Sequence, residues 1–230
     1  SPAMAQVTCP EDTLLYVDRK NVQAAAPNTS QLFLLGINTP QNGIDGMYQY
    51  FNGPQQMQIT GVEFLAFIVS DTRSQTSTSV NVSIFNASPT DSTPMGAPLG
   101  GAVEPVDTGQ GNALKQVNFS NPITVNGPYL IVIEPADPNL LVTTVITDPN
   151  TNAGMGERLA GVRFSAAGTW DNLLDASGGG IDADFVVRPY VQYSLNPSFT
   201  ASPNPTAPGT AVNFTPTLDP IIFDRMYNLA

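Results

Sequence analysis

The sequence predicts an all-β chain: a two-sheet antiparallel β-sandwich, jelly-roll or Ig-like, with a short C-terminal β extension. Three observations carry this. Residues 57–70 open with period-two alternation and become continuously apolar, rich in β-branched and aromatic residues, as a core strand does. Residues 79–85 alternate cleanly, with Val80, Val82 and Ile84 on one face and polar residues on the other, the pattern of a half-buried antiparallel strand. Pro (21) and Gly (19) punctuate the chain, and no stretch has the Ala/Leu/Glu/Lys-rich period of a helix.

Taken in order, residues 1–12 read as a tail whose first five residues resemble a cloning remnant before a mature secreted sequence. The sandwich is expected over 13–196, beginning with strands at 13–17, 31–37 and 47–51. The strands at 57–70 and 79–85 are expected to share a sheet, with the continuously apolar run 129–134 as their central neighbour. Residues 86–101 contain Pro89, Pro94 and Pro98 with Gly96, Gly100 and Gly101, and this density predicts an exposed loop without regular structure. Further strands are expected at 113–119, 121–125, 140–147, 159–164 and 183–194. Residues 197–230 hold few apolar positions around a Pro-rich turn, below the ~40 residues that fold unaided.

Composition excludes several classes of function. The net charge of −11 and the scarcity of Lys and Arg, 8 in all, oppose a nucleic-acid or anionic-membrane partner, which calls for a basic patch. No run approaches the ~18 apolar residues of a membrane-spanning helix. Cys9 is the single cysteine, so no disulfide framework exists within the chain, and the absence of His removes the commonest general base and transition-metal ligand. Glu63, Glu134 and Glu157 would need two carboxyl groups facing one cleft to hydrolyse a glycoside, and nothing in their spacing places two together. No Gly-x-Ser-x-Gly element is present. The chain is therefore expected not to be an enzyme.

Two groups of residues carry the candidate chemistry. Trp170, Tyr48 and Tyr50 have the flat faces on which a pyranose ring packs, although a lone Trp between Gly168 and Asp171 equally suits a cap on the core. Asp175, Asp182 and Asp184, with Asp171 close by, surround the Gly-rich stretch 178–180. Hard oxygen ligands on a turn suit a structural calcium ion, though neither EF-hand nor nonapeptide-repeat spacing is present and acidic loops of acidic proteins are commonly just solvated.

Two resemblances extend this reading. Residues 197–203 and 208–215, from Pro197-Ser198-Phe199-Thr200 to Asn213-Phe214-Thr215, resemble the first two strands of a PKD domain, an Ig-like module of bacterial surface proteins. That family's hallmark Trp-x-Phe-Gly-Asp-Gly does not occur in this sequence. Residues 45–193 are similar to the N-terminal β-sandwich modules of large secreted Bacteroidetes proteins exported by the type IX system. The likeness is carried by Pro122-Ile123-Thr124-Val125-Asn126-Gly127-Pro128-Tyr129 and Asp182-Ala183-Asp184-Phe185-Val186-Val187-Arg188-Pro189. It implies an extracellular or cell-surface module for adhesion to a glycan or surface protein, followed by PKD-like spacers. Three roles stay open: adhesion module, carbohydrate-binding accessory module of a secreted hydrolase, and self-assembling subunit of a filament, sheath or capsid. The apolar residues of 197–230, Phe199, Val212, Phe214, Ile221, Ile222, Phe223 and Met226, are expected to dock on the sandwich or on a neighbouring chain.

Overall fold

A computed structural model describes residues 7–8, 12–13, 31–37, 43–51, 56–67, 77–107, 114–136, 141–147, 159–176, 184–192, 194–195, 198–202, 209 and 211–217. In chain order the strands are β1 Val7–Thr8, β2 Asp12–Thr13, β3 Gln31–Ile37, β4 Ile44–Phe51, β5 Met57–Phe67, β6 Ser77–Ala87 and β7 Pro94–Asp107. They continue with β8 Leu114–Val125, β9 Tyr129–Pro135, β10 Leu141–Thr147, β11 Ala160–Phe164 and β12 Thr169–Asn172. One helical turn, α1 Leu173–Ala176, precedes β13 Asp184–Phe185, β14 Val187–Gln192, β15 Ser194–Leu195, β16 Ser198–Ser202 and β17 Asn213–Thr217.

The expected β-sandwich is present. One sheet has six strands in the order β12-β11-β4-β9-β6-β7. The other follows the path β13-β10-β5-β14-β2, with β3 added on β10 and β8 on β5. All the pairings are antiparallel.

Between the sheets sits one core, and the pleat decides which residues reach it. β6 sends Val80, Val82 and Ile84 inward, β9 sends Tyr129, Ile131 and Ile133, and β4 sends Met47 and Phe51. Phe51 and Tyr129 are register partners whose rings stack at 5.4 Å. The opposite sheet supplies Met57, Ile59, Val62 and Phe64 from β5, Val117, Phe119, Ile123 and Val125 from β8, and Val187 and Val191 from β14. Full burial of each such side chain is worth ~1.5–3 kcal/mol, so this interdigitated layer dominates the stability of the fold.

Gln49 crosses that layer as a polar clamp. Its side chain is buried on β4, its Nε2 donates to Asp184 Oδ1 at 2.8 Å, and its Oε1 accepts the Phe185 N–H at 2.8 Å. The two sheets are thereby tied through an amide whose hydrogen bonds are directional, where apolar packing alone is not.

Four sequence expectations change. The strands at β5 and β6 lie in different sheets, because β9 pairs with β6 and β4 rather than with β5. The stretch read as a loop over 86–101 is strand from Pro94 onward, interrupted by a bulge between Met95 and Gly100, and forms most of the fourteen-residue strand β7. Prolines there are tolerated because β7 is the edge of its sheet, where a missing N–H leaves no ladder bond unmade on the open side. β8 runs unbroken through Asn121-Pro122, absorbing the irregularity as a register shift opposite Ile59 and Gly61. Val7–Thr8, in the expected tail, pairs with Ser194–Leu195.

β16 and β17 pair with each other as a two-stranded antiparallel sheet, from Ser198 opposite Thr217 to Ser202 opposite Asn213. Residues 14–17 and 218–230, with Ile221, Ile222, Phe223 and Met226, lie outside the described residues, as do the side chains of Phe199 and Phe214.

Candidate functional site

In a two-sheet sandwich the faces turned away from the core are ordinarily polar. The six-stranded sheet departs from this. Tyr48, Leu130 and Val132 are buried on the face opposite the main core, and Tyr50, Phe85, Ala87 and Trp170 pack around them half-buried. This second cluster explains why β9 is continuously apolar: its odd residues face the core, while Leu130 and Val132 face the outer cluster.

Strand register lays these residues in rows. Tyr50 stands opposite Leu130, and Leu130 opposite Phe85, across β4, β9 and β6. The next row runs Asn172, Gly161, Tyr48, Val132, Ser83 and Gly101 from β12 to β7. In the row beyond it, Trp170 faces Arg163 and Arg163 faces Gly46, while Glu134 faces Asn81 and Asn81 faces Val103.

Two glycines seat the large rings. A methyl group on Gly161 would overlap Cε1 and Cζ of Tyr48 and the carbonyl oxygen of Asp171, so the phenol occupies the space a side chain would take. One on Gly46 would stand 2.9 Å from Cη2 of Trp170. The two rings meet edge to face, with centroids 5.7 Å apart and planes at 69°.

Arg163 closes the cluster. Its guanidinium lies 5.2 Å from the Trp170 ring centroid, its Nε donates to Asp45 Oδ1 at 2.7 Å, and its Nη1 pairs with Glu134 Oε1. A cation so placed contributes ~0.5–2 kcal/mol through the ring quadrupole. Partial burial pushes the Glu134 carboxyl above the usual range, opposed by the neighbouring Arg163 and assisted by the Asp45 charge. Burial likewise raises the Tyr48 phenol, with further contributions from the charges of Asp171, Asp91 and Asp175. The Tyr48 hydroxyl is buried with no hydrogen-bond partner among the described residues.

The three aromatics singled out in the sequence thus come together in one cluster, with unequal roles. Tyr48 is 1% exposed and forms the floor, whereas Tyr50 and Trp170 keep part of their surface. Sequence reasoning missed Phe85, Arg163 and Asp45. The continuous apolar run of β9 was the available signal for Phe85, since Leu130 and Val132 call for a cover on neighbouring strands.

The acidic residues are placed otherwise. Asp175 is exposed on α1, where its N–H donates to Asn172 Oδ1 at 2.8 Å and its Oδ2 accepts Asn172 Nδ2 at 2.6 Å, a reciprocal cap of the helical turn. Asp184 is buried and bonded to Gln49. Asp182 lies outside the described residues, and among those described no group of three or more acidic or Cys residues is arranged to hold a metal ion. Glu63 and Glu134 belong to different sheets, and each pairs with an arginine, Arg188 at 3.2 Å and Arg163 respectively. Glu157 lies outside the described residues. No described helix is long and apolar enough to cross a membrane. No family model, curated protein or solved structure matches this chain.

Proposed function

We propose that this chain is a non-catalytic, extracellular interaction module that engages a surface partner through the outer face of its six-stranded sheet. The observation that carries the reading is the second apolar cluster, in which Tyr50, Trp170 and Phe85 remain partly exposed over a buried floor of Tyr48, Leu130 and Val132. Three half-exposed rings gathered on one sheet face support this reading, since an outer face that meets only solvent is ordinarily polar. The low charge content and the paired strands β16 and β17, in the stretch that resembles a PKD module, fit a domain displayed on a cell surface.

A carbohydrate is favoured as the ligand by one feature: half-exposed aromatic rings bordered by Arg163, Asp45 and Glu134 combine an apolar platform with a hydrogen-bonding rim. The net charge of −11 favours neutral over acidic polymers. Screening against neutral and acidic polysaccharides, followed by titration calorimetry, tests this. The expected result is saturable binding to a neutral polymer that weakens in Tyr50→Ala and Phe85→Ala variants shown by circular dichroism to be folded at the assay temperature. Binding that ignores both substitutions would remove the outer face from consideration, and binding to none of the polymers would redirect the search to protein partners.

A further inference from the structure

Two carboxylates from different strands share the one guanidinium of Arg163. Its Nε donates to Asp45 Oδ1 at 2.7 Å, and its Nη1 pairs with Glu134 Oε1. Two features of β4 make this possible. The ladder to β11 passes from Gly46 opposite Arg163 to Ile44 opposite Phe164, so Asp45 is the extra residue of a β-bulge, which re-aims its carboxylate toward the guanidinium. Gly46 brings no side chain of its own. Trp170 Cη2 and Glu134 Cγ close over it, 2.9 and 3.2 Å from where a methyl group would stand. Glu134 on β9 and Arg163 on β11 therefore meet across the intervening strand.

The charges of this group do not balance. Arg163 neutralises one of the two carboxylates, and the three side chains keep only 20–29% of their surface, so water screens the surplus incompletely. Their row, Trp170, Arg163, Gly46, Glu134, Asn81 and Val103, brings no second cation. Among the described residues the charged groups facing Glu134 are Asp45 from β4 and Arg163 from β11, while β6 presents the neutral Asn81 and β12 presents Trp170. A proton on Glu134 removes the surplus. Partial burial and the Asp45 charge favour that proton, and Arg163 opposes it less strongly than they favour it.

Protonation has a mechanical consequence. Arg163 is a donor only, and a neutral carboxylic acid offers it a weaker acceptor than the charge-assisted one it replaces. Asp45 then remains as the charged anchor, and the guanidinium is no longer fixed from both sides at its place 5.2 Å from the Trp170 ring centroid.

We propose that Asp45, Arg163 and Glu134 form an acid-sensitive latch on Trp170. With Glu134 charged, the guanidinium is anchored at both ends and holds the indole against Tyr48; a proton on Glu134 frees one end and loosens the ring. The latch regulates the face assigned above to a ligand and rests on that reading for its use, but it operates without one.

Trp170 is the only tryptophan of the chain, so the intrinsic emission of the full, ligand-free protein reads the latch directly. The expected result is one reversible transition on acidification, with a midpoint above the ordinary glutamate value of about 4.3. Through it the emission moves to longer wavelength and acrylamide quenches it more readily, while circular dichroism shows the sheets intact. Glu134→Gln holds the neutral form at every pH, so it should give the acid emission already at neutral pH and show no transition. Asp45→Asn should move the midpoint downward, because the charge that disfavours a second carboxylate is gone. The proposal is overturned by wild-type emission and quenching in Glu134→Gln at neutral pH, by a transition that this variant retains, or by a midpoint that Asp45→Asn leaves in place. Polysaccharide binding without a transition sinks the latch alone, and a transition without any binding sinks the carbohydrate reading alone.

Discussion

Tyr48 covers Gly161: the two are register partners on β4 and β11, and the phenol ring stands where a side chain on residue 161 would have to go. Gly161→Ala would press its methyl group into Cε1 and Cζ of Tyr48 and into the Asp171 carbonyl, and that carbonyl is backbone and cannot swing aside. The expected cost is ~1–3 kcal/mol, the range for overpacking. Gly46→Ala meets only the side chains of Trp170 at 2.9 Å and Glu134 at 3.2 Å, which can shift, so it should cost less. Urea unfolding of the two variants checks the order.

The Tyr48 hydroxyl makes a second prediction. A buried hydroxyl without a hydrogen-bond partner costs ~1–3 kcal/mol, so Tyr48→Phe should be stabilising by about 1 kcal/mol at neutral pH. Burial, aided by Asp171, Asp91 and Asp175, also holds the folded-state phenol above its ordinary value of about 10. A group whose folded pKa is raised contributes stability that is present below the unfolded value and lost as pH rises toward the folded one. Wild-type stability should therefore fall above about pH 10. Comparing the melting of wild type and Tyr48→Phe at neutral and alkaline pH isolates this component, which the variant lacks.

Removing the cross-sheet clamp should be expensive. Gln49→Leu takes away the amide that serves both the Asp184 carboxylate and the Phe185 N–H inside the sandwich. The expected loss is ~2–4 kcal/mol, since two buried groups lose that partner. Chemical denaturation provides the number, and an unchanged midpoint would show that the clamp is dispensable.

Asp91 should matter only above the acid range. On the exposed β6–β7 turn its carboxylate accepts the Thr93 hydroxyl at 2.8 Å and the Thr93 N–H at 3.2 Å. Hydrogen bonding, foremost from Ser88 and then from Thr93, holds its pKa below the usual value. A depressed carboxylate stabilises the fold above its unfolded pKa and ceases to do so as pH falls through its folded value. Asp91→Ala should thus lower the melting temperature slightly at pH 7, the effect being small because the site is exposed, and the difference should shrink as pH falls below the ordinary carboxylate value near 3.9 and vanish below the lower folded-state value.

The sequence by itself determined the fold class and most strands, because a strand's period of two and its β-branched content are local properties. Val80, Val82 and Ile84 would lie on one face of β6 whatever the partner. Its continuously apolar run at 129–133 also marked a central strand, which β9 is, between β4 and β6. What it could not determine was which strands are neighbours. That β5 and β6 separate into opposite sheets, and that Tyr48, Phe85, Arg163 and Trp170 meet on one outer face, depends on pairings between residues far apart in the chain. Nor could local signals recover β7, whose prolines and glycines forbid a central strand but not an edge one. Only the tertiary structure decides where the edge lies, and with it which apolar residues are left in water.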